Sequence, residues 1–465
     1  MTDQSSHKSV NNYRLFAQTF AQMKGNLMVR KSCVILACFL LLLPFGCGQK
    51  DADNSEGKVE IIFWHSFVSS TVPALQELVS DFEQQHPGIS ISPQYVPTGE
   101  ALIQKLITAV QSGTAPDISW IHSNYLTNLV QADAIFPMQQ FVDGPDGLKE
   151  GDLADIYPAL IQAASWKGTL YSIPMEATNL GLLYNKEHFR KAGLDAEKPP
   201  KTWQELAEYA KKLTIDKDGD GKKDQVGMFI PVFPASGQYS DWMVWQWMPF
   251  LWQAGGEIIN EDQTKVLFNS DAGVQALEFW KSIYNTLNLR SFTTDYEAAF
   301  PSGVLSMAFD GPWNLPRWKD RNVDWAIGGL PAGPVKRATN VGGEYLAIFK
   351  QSKHPDEAWK FIKWMITPEV QARWSMLSGY LPIRHDALKI EAYKRYLDEH
   401  PGLKAYVEQM EYGQSPPPID YYSLEISRAM AVAIEKATLG NVDSRKALDE
   451  AAAKCNNLLQ SVTSR

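Results

Sequence analysis

The first part of the folded chain alternates short apolar runs with amphipathic segments. The apolar runs have the length of buried strands, and the segments between them carry apolar residues at helical spacing. The predicted strands and helices in this part are, in chain order, 59–64, 71–85, 89–96, 101–111 and 117–121. Strands that alternate with helices in this way are typical of a parallel α/β layer.

A similar alternation returns after the middle of the chain. The predicted strands are 180–184, 226–231, 304–309, 325–328 and 345–349. The predicted helices are 202–213, 272–284 and 356–366. No internal repeat and no long low-complexity segment interrupts the pattern. Since about 400 residues are enough for two sizeable cores, two α/β lobes fit this pattern better than one continuous sheet.

The chain begins with a different pattern, which predicts export. Arg30 and Lys31 precede an apolar run over 34–45, and Gly46 and Cys47 close it. A basic flank followed by a short apolar core is typical of a signal peptide, so residues 1–46 are predicted to be one. As a helix the apolar run would reach about 18 Å, whereas a bilayer core is about 30 Å thick. Met28 is an alternative start.

The end of this leader resembles a bacterial lipobox, in which the cysteine is acylated. Pro44 and Phe45 stand where Leu and a small residue are usual, which is a departure from that motif. We expect lipidation at Cys47, and the alternative is cleavage nearby and a free protein. The polar residues 47–58 would be a flexible tether. The expected location is the periplasm or the outer face of the cytoplasmic membrane.

Charge and composition narrow the functions open to the body. The leader holds five basic residues and one acidic residue, so the body has a net charge near −13 rather than the −9 of the whole chain. Such an acidic body is a poor candidate for nucleic-acid binding. All 15 tryptophans lie in the body, which favours sugar stacking at some of them, although most should be core. Of the four cysteines only Cys455 lies beyond Cys47, so no disulfide framework is available and Cys455 is predicted to be a core residue.

Several short motifs lie along essentially the whole body. They are FWHSF (63–67), GLLYNKEHFRKAGLD (181–195), PPKTWQELAEYAKKL (199–213), MAFDGPW (307–313), the glycine pair at 342–343 and GYLPIR (379–384). Each motif alone is weak, whereas the ordered set is specific. In this order the motifs resemble those of the family 1 extracellular solute-binding proteins of ABC importers.

The resemblance implies a two-lobed, class II periplasmic-binding-protein fold of the α/β class. Its implied lobes are residues 59–175 with 328–366, and 176–327 with 367–465. A ligand would lie between lobes that are joined by crossing segments. By contacting both lobes it would favour the closed form, which a membrane permease would recognise. The implied protein is a monomeric carbohydrate binder that requires no cofactor and is not an enzyme.

A sugar-binding cleft needs polar partners for hydroxyls and flat aromatic rings for the sugar faces. His65 and Ser66 follow the first strand and should face such a cleft; a helix cap is the alternative. Glu100 matches a ligand-contacting glutamate of glycerophosphate-binding members, or is a first-turn helix residue. Asp310 and Trp313 lie in one short turn, where they would bind a hydroxyl pair and a ring face. A place in the lobe core is the alternative for Trp313.

The resemblance implies further ligand contacts at the crossover, at two tryptophans and near the glycine pair. These residues are Glu176, Thr178, Asn179, Trp242, Trp245, Gly342, Gly343 and Tyr380.

One departure from the family bears on the ligand. Glycerophosphate-binding members carry an arginine near their end that suits phosphate. Residues 416–427 have no arginine here and offer Tyr421 and Tyr422 instead. This favours a neutral disaccharide or oligosaccharide, with glycerol-3-phosphate or another polyol as the alternative.

A calcium loop is a separate hypothesis. Asp216, Asp218 and Asp220 alternate before a glycine, and Asp224 follows, which is the spacing of oxygen donors in calcium-binding loops. The twelfth position is Gly227, so the usual closing carboxylate is missing. The loop would either bind a structural Ca²⁺ or form a solvated turn.

Two other function classes stay open at this point. A glycoside hydrolase would need two carboxyl groups at a set separation, such as two of Glu100, Glu176 and Asp310. A surface scaffold would need no cleft. The sequence contains no nucleophile-elbow, zinc-protease or Walker A motif.

Overall fold

The computed structural model describes residues 57–237, 240–292, 295–319, 321–419 and 423–463. The predicted signal peptide, Cys47 and most of the predicted tether lie outside this part, as do Tyr421 and Tyr422. No helix among these residues is long and apolar enough to cross a membrane.

A five-stranded sheet forms the first α/β layer. Its strands, in spatial order, are β2 (Ile89–Tyr95), β1 (Val59–His65), β3 (Ile118–Ile121), β12 (Tyr345–Ile348) and β6 (Ile173–Pro174). β1 runs parallel to β2 and β3, as predicted, whereas β12 runs antiparallel to β3 and β6. The carboxyl ends of the three parallel strands therefore lie at one edge of the sheet, with His65 opposite Tyr95.

The second sheet has three strands in the order β10 (Trp325–Gly328), β8 (Gly181–Asn185) and β9 (Met307–Asp310). Both pairings are antiparallel, unlike the parallel layer that the sequence pattern suggested. The prediction of a strand over 226–231 is wrong. That segment runs beside β9 but makes only isolated bridges. The N–H of Gly227 donates to the Thr214 hydroxyl at 2.9 Å instead of to a neighbouring strand.

The remaining short strands are β4 (Ser165–Trp166), β5 (Thr169–Leu170), β7 (Thr178–Asn179), β11 (Thr339–Gly342) and β13 (Gly413–Gln414). The helices up to the middle of the chain are α1 (Val72–Gln85), α2 (Glu100–Ser112), α3 (Ser123–Gln131), α4 (Gln139–Val142), α5 (Pro158–Ala163), α6 (Lys186–Lys191), α7 (Trp203–Lys212), α8 (Ser240–Gln253) and α9 (Asp271–Thr286). Those that follow are α10 (Tyr296–Ala299), α11 (Leu315–Lys319), α12 (Pro355–Met365), α13 (Pro368–Ser378), α14 (Glu391–Glu399), α15 (Pro401–Gln409), α16 (Ser423–Thr438) and α17 (Ser444–Thr463). Short 3-10 turns are Leu289–Ser291, Pro312–Asn314, Asp386–Lys389 and Met410–Tyr412.

Local sequence explains several of these elements. The Thr202 hydroxyl accepts a hydrogen bond from the backbone N–H of Glu205, which caps the start of α7. In the tryptophan-rich α8, Trp247 and Trp252 are buried, as the helical spacing predicted. Cys455 is a free, buried thiol in α17, which confirms its predicted place in the core.

Two antiparallel segments, called the ribbon below, run from the five-stranded sheet into a third sheet, in which β11 lies between β7 and β13. β6 pairs with β12 and β7 pairs with β11, so residues 173–179 run antiparallel to residues 341–348. Tyr345 lies opposite Pro174, whereas Gly342 lies opposite Thr178, so the 174–178 side carries one extra residue. This is a β-bulge, a feature that bends a strand and re-aims its side chains. The family resemblance implied crossing segments of this kind.

Candidate ligand-binding site

Aromatic and imidazole rings line the carboxyl edge of the first sheet. The ring of His65, at the end of β1, stacks on Phe67 with centroids 5.5 Å apart, and the ring of Tyr95 meets its edge at 6.1 Å. Burial lowers the pKa of His65 to about 4, so the ring is neutral, and its Nδ1 accepts the N–H of Phe67 at 3.3 Å. Tyr95 is 61% exposed at this edge, which makes it a candidate stacking residue that the sequence analysis missed.

Two further candidates lie beside this edge. Ser66 is buried, and its hydroxyl has no hydrogen-bond partner among the described residues. A buried hydroxyl without a partner costs free energy, which fits a group that meets a ligand better than the alternative of a helix cap. Glu100 begins α2, but its side chain lies outside the described part.

Glu176 lies on the ribbon and is fully buried. Its Oε2 accepts a hydrogen bond from the indole N–H of Trp374 at 2.6 Å. Burial raises the pKa of this carboxyl well above its ordinary value, and the neighbouring charge of Glu344 and a hydrogen bond with it raise it further. The indoles of Trp374 and Trp120 lower the pKa of Glu176. The ribbon thus carries two neighbouring carboxyl groups, and burial raises the pKa of both.

Tyr380 lies against this carboxyl pair. Its ring is 6.2 Å from that of Trp374 at 20° and 6.1 Å from that of Phe67. Burial, followed by the charges of Glu344 and Glu176, raises the pKa of its phenol well above the ordinary value. Tyr380 is therefore a neutral group next to the acidic pair.

Two half-buried indoles lie close to each other beside the ribbon. The rings of Trp245 and Trp313 lie 6.0 Å apart at 50°. A Cβ added at Gly342 would lie 3.4 Å from the Trp245 ring and 3.6 Å from the methyl carbon of Thr178. Within the part of the chain that the structure describes, the buried Thr178 hydroxyl has no hydrogen-bond partner. Four of the sequence-predicted residues therefore lie together.

Asp310 has a different place from the one expected. Its Oδ1 accepts bonds from Asn314, Tyr296 and the backbone of Gly311, and its Oδ2 accepts the Trp318 indole at 2.7 Å. Both oxygens of this buried carboxylate are thus already satisfied. The interpretation that it binds ligand hydroxyls does not fit this geometry, and Asp310 instead holds the turn that presents Trp313.

Two other predicted contacts also have protein partners. The Asn179 amide donates to the Tyr406 carbonyl at 2.9 Å and accepts from Gln409 at 3.3 Å. Trp242 stacks on Tyr296 at 5.8 Å and 21° and is half-buried. Asn179 therefore connects the ribbon to α15, whereas Trp242 keeps part of its surface exposed.

Comparison with known proteins identifies the type of site. A model of the bacterial extracellular solute-binding proteins matches residues 77–401, more than half of the chain. The chain belongs to this family. A binding protein of Brucella abortus (strain 2308) is 26% identical over 418 residues, which cover 88% of this chain and 94% of that protein. The sn-glycerol-3-phosphate-binding periplasmic protein of Salmonella paratyphi A is 26% identical over 426 residues, covering 86% and 92%.

Solved structures agree with this assignment to the solute-binding family. A cyclic α-maltosyl-1,6-maltose binding protein from Arthrobacter globiformis has a TM-score of 0.74 and 28% identity, covering 87% of this chain and all of that one. An ABC transporter solute-binding protein from Thermotoga lettingae, bound with α-D-tagatose, has a TM-score of 0.73 and 25% identity, covering 86% and 99%. The fold is thus the two-lobed class II fold. The solute-binding protein is a component of an ABC importer, and its relatives are binding proteins, not enzymes.

The aspartate-rich loop of this solute-binding protein lies apart from the ribbon in sequence, between α7 and residue 226. One carboxylate oxygen from each of Asp216, Asp218 and Asp224 lies within 4.8 Å of the others. Asp220 is not part of this group and accepts the N–H of Lys222. The Asp216 carboxylate accepts the N–H groups of two glycines and pairs with Lys223 at 3.4 Å. Calcium binding here stays a prediction.

Four residues of the site were not found from the sequence. Tyr95 ends β2, Trp120 lies in β3, Trp374 lies in α13, and Glu344 comes directly after the glycine pair. A carboxylate next to that glycine pair was a signal that could have been used. The two tryptophans have the apolar spacing of core residues, and only their contacts with Glu176 single them out.

Proposed function

We propose that this solute-binding protein captures a carbohydrate, a disaccharide or an oligosaccharide, between its lobes and delivers it to a membrane permease. The observation that carries this proposal is the pair of facing indoles, Trp245 and Trp313, beside buried polar groups that lack protein partners. Flat rings next to hydrogen-bonding groups match the two kinds of surface that a sugar presents. Two structural relatives at 25% and 28% identity are described as binding a sugar.

A glycerol-3-phosphate ligand is the second candidate, because a 26% identical relative is named for it. The absence of an arginine from residues 416–427 counts against it, since bidentate arginine is well suited to phosphate. A hydrolase is a weaker candidate, because the Asp310 carboxylate is occupied by four protein donors.

The decisive experiment is a calorimetric screen of mono- and disaccharides and of glycerol-3-phosphate against residues 48–465. We expect binding of a sugar without formation of a product, and sugar turnover would reject the proposal. Trp313→Ala should weaken binding by about tenfold or more, which corresponds to about 1.4 kcal/mol. Trp364→Ala is the matched control, because Trp364 is a half-buried tryptophan of α12 that contacts Phe82 and Gln85 instead. Equal affinities of the two variants would remove Trp313 from the site.

We further propose that Cys47 is acylated and holds the protein at the outer face of the membrane near its permease, as a monomer. The leader that ends at Cys47 and the extracellular family support this. The tether of 47–58 would let the lobes diffuse near the permease.

A further inference from the structure

Two acidic side chains meet inside the protein without a cation. Glu176 is fully buried and Glu344 is 7% exposed. Neither carboxyl forms an ion pair within the part of the chain that the structure describes. Buried carboxyl groups are ordinarily paired with a cation or a metal, because an unpaired buried charge is costly. In this pair a proton held between the carboxyl groups would take the place that a cation usually has.

The hydrogen-bonding capacity of the pair is also only partly used. Oε2 of Glu176 accepts the Trp374 indole, but among the described residues no N–H or hydroxyl group lies in hydrogen-bonding geometry to its Oε1 or to the Oε2 of Glu344, which leaves these oxygens only the bond within the pair itself. The hydroxyl of Tyr345, next to Glu344, is buried and likewise has no partner in the described part of the chain. Three polar atoms thus remain for a group that brings donors. A role confined to the fold does not explain them, since apolar residues of similar size would avoid the cost of burial.

Aromatic rings surround the two carboxyl groups. Trp374 and Tyr380 lie nearly parallel at 6.2 Å, and Phe67 lies 5.2 Å from Trp374 and 5.9 Å from Trp120. Aromatic faces attract cations as well as sugar rings, most strongly where water is excluded. An acidic pair inside an aromatic enclosure is thus suited to a positively charged nitrogen more than to a neutral hydroxyl.

We infer that the Glu176–Glu344 pair binds a protonated amine of the ligand, so that the captured solute is a carbohydrate bearing a basic nitrogen. This inference rests on the proposed function and refines the neutral ligand expected from the sequence. The N–H groups of the ammonium would donate to Oε1 of Glu176 and Oε2 of Glu344, the two oxygens that lack partners.

The proton balance of this step is simple. Burial raises the pKa of both carboxyl groups, and the charge of Glu344 and the bond with it raise that of Glu176 further, so in this proposal the pair shares one proton before binding. The ammonium keeps its own protons and takes the place of the shared one, which leaves to solvent, and no covalent bond changes. The phenols of Tyr345 and Tyr380, which face the pair, stay neutral because burial raises their pKa. Binding should therefore release up to one proton and become tighter as the pH rises.

The test compares sugars that differ only in a nitrogen. The probes are glucosamine and glucose, galactosamine and galactose, and the β-1,4 disaccharide of glucosamine and cellobiose. Titration calorimetry on residues 48–465 at pH 6 and pH 7, in two buffers of different ionisation enthalpy, gives both the affinity and the protons released. We expect at least one amine to bind about tenfold or more tightly than its neutral partner. Only the amine should show a buffer-dependent enthalpy.

Glu344→Gln should bring the amine and its neutral partner to similar affinity and abolish proton release. Glu391→Gln, at an exposed position at the start of α14, is the control for loss of one negative charge. If Glu344→Gln does not fold, Glu176→Gln and the buffer comparison on the wild-type chain decide the question.

Neutral sugars that bind as tightly as their amines, or an amine affinity unchanged in Glu344→Gln, would overturn the inference and leave the proposed function standing. If no probe of either kind binds and only a non-carbohydrate solute does, the proposed function fails and the inference fails with it.

Discussion

Two adjacent glycines of the ribbon allow a sharp test of the structure. A Cβ added at Gly343 would lie 2.0 Å from the backbone oxygen of Glu176, and 3.1 Å from its carbonyl carbon. At Gly342 the nearest atoms are 3.4 Å away and belong to the side chain of Trp245. Alanine at 343 therefore meets fixed backbone, whereas alanine at 342 makes an ordinary contact.

The magnitude follows from how far the chain must move. Relieving a contact of 2.0 Å requires a shift of more than 1 Å between two hydrogen-bonded segments. Overpacking of this kind costs about 1–3 kcal/mol, and sometimes more. Because the clash is with backbone, we expect Gly343→Ala to lower the free energy of unfolding by about 3 kcal/mol or more. Gly342→Ala should change it by less than about 1 kcal/mol.

Urea unfolding followed by tryptophan fluorescence measures both variants, and sugar titration measures their affinities. Gly342→Ala should fold normally yet weaken sugar binding, because the new methyl group reduces the space beside the Trp245 ring. Gly343→Ala with wild-type stability would refute the close approach of the two crossing segments. Normal sugar affinity in Gly342→Ala would show that no ligand lies against that face of Trp245.

Three further predictions concern other parts of the molecule. Burial raises the pKa of Asp310 to about 6, so the folded state holds that proton more tightly than the unfolded chain, where the pKa is about 3.9. The free energy of unfolding should therefore gain about 2 kcal/mol from this group as the pH falls from 7 to 4, and a wild-type pH profile parallel to that of Asp310→Asn would contradict this. If the aspartate loop binds calcium, millimolar Ca²⁺ should raise the thermal unfolding midpoint of the wild-type protein but not that of Asp216→Asn or Asp224→Asn. Mg²⁺ is the control. An unchanged midpoint of the wild-type protein would show that the loop is a solvated turn. Cys47→Ser should release the protein from the membrane fraction of expressing cells, and unchanged fractionation would reject lipid anchoring.

Periodic sequence patterns predicted most of the fold but not all of its pairings. The helices and strands from β1 to β3 begin and end within two residues of their predicted bounds. This is because the spacing of the apolar residues in each of them fits only a helix or only a strand. The segment 226–231 has the composition of a strand but is not one. Its backbone donor at Gly227 bonds to Thr214, a contact that no local pattern encodes. Contacts with residues distant in the sequence therefore determine the conformation of that segment.

The candidate site was predicted less completely, for the same reason. Motifs located Trp245, Trp313 and Gly342, which do lie together. They could not show that Glu176 meets Glu344, because 168 positions separate the two in the chain and only the ribbon brings them together. Nor could they show that the Asp310 carboxylate is already satisfied.

The state of the buried polar groups separates those that hold the fold from those that await a ligand. The Asp310 carboxylate and the Asn179 amide have protein partners, so mutating them should mainly affect stability. Glu344 and Thr178 are equally inaccessible but retain atoms without a partner. Each such atom costs about 1–3 kcal/mol, a cost that a ligand with matching donors and acceptors would offset. Since that gain is available only when the ligand reaches these atoms, mutating Glu344 or Thr178 should affect the affinity for the proposed ligand more than it affects the stability of the fold.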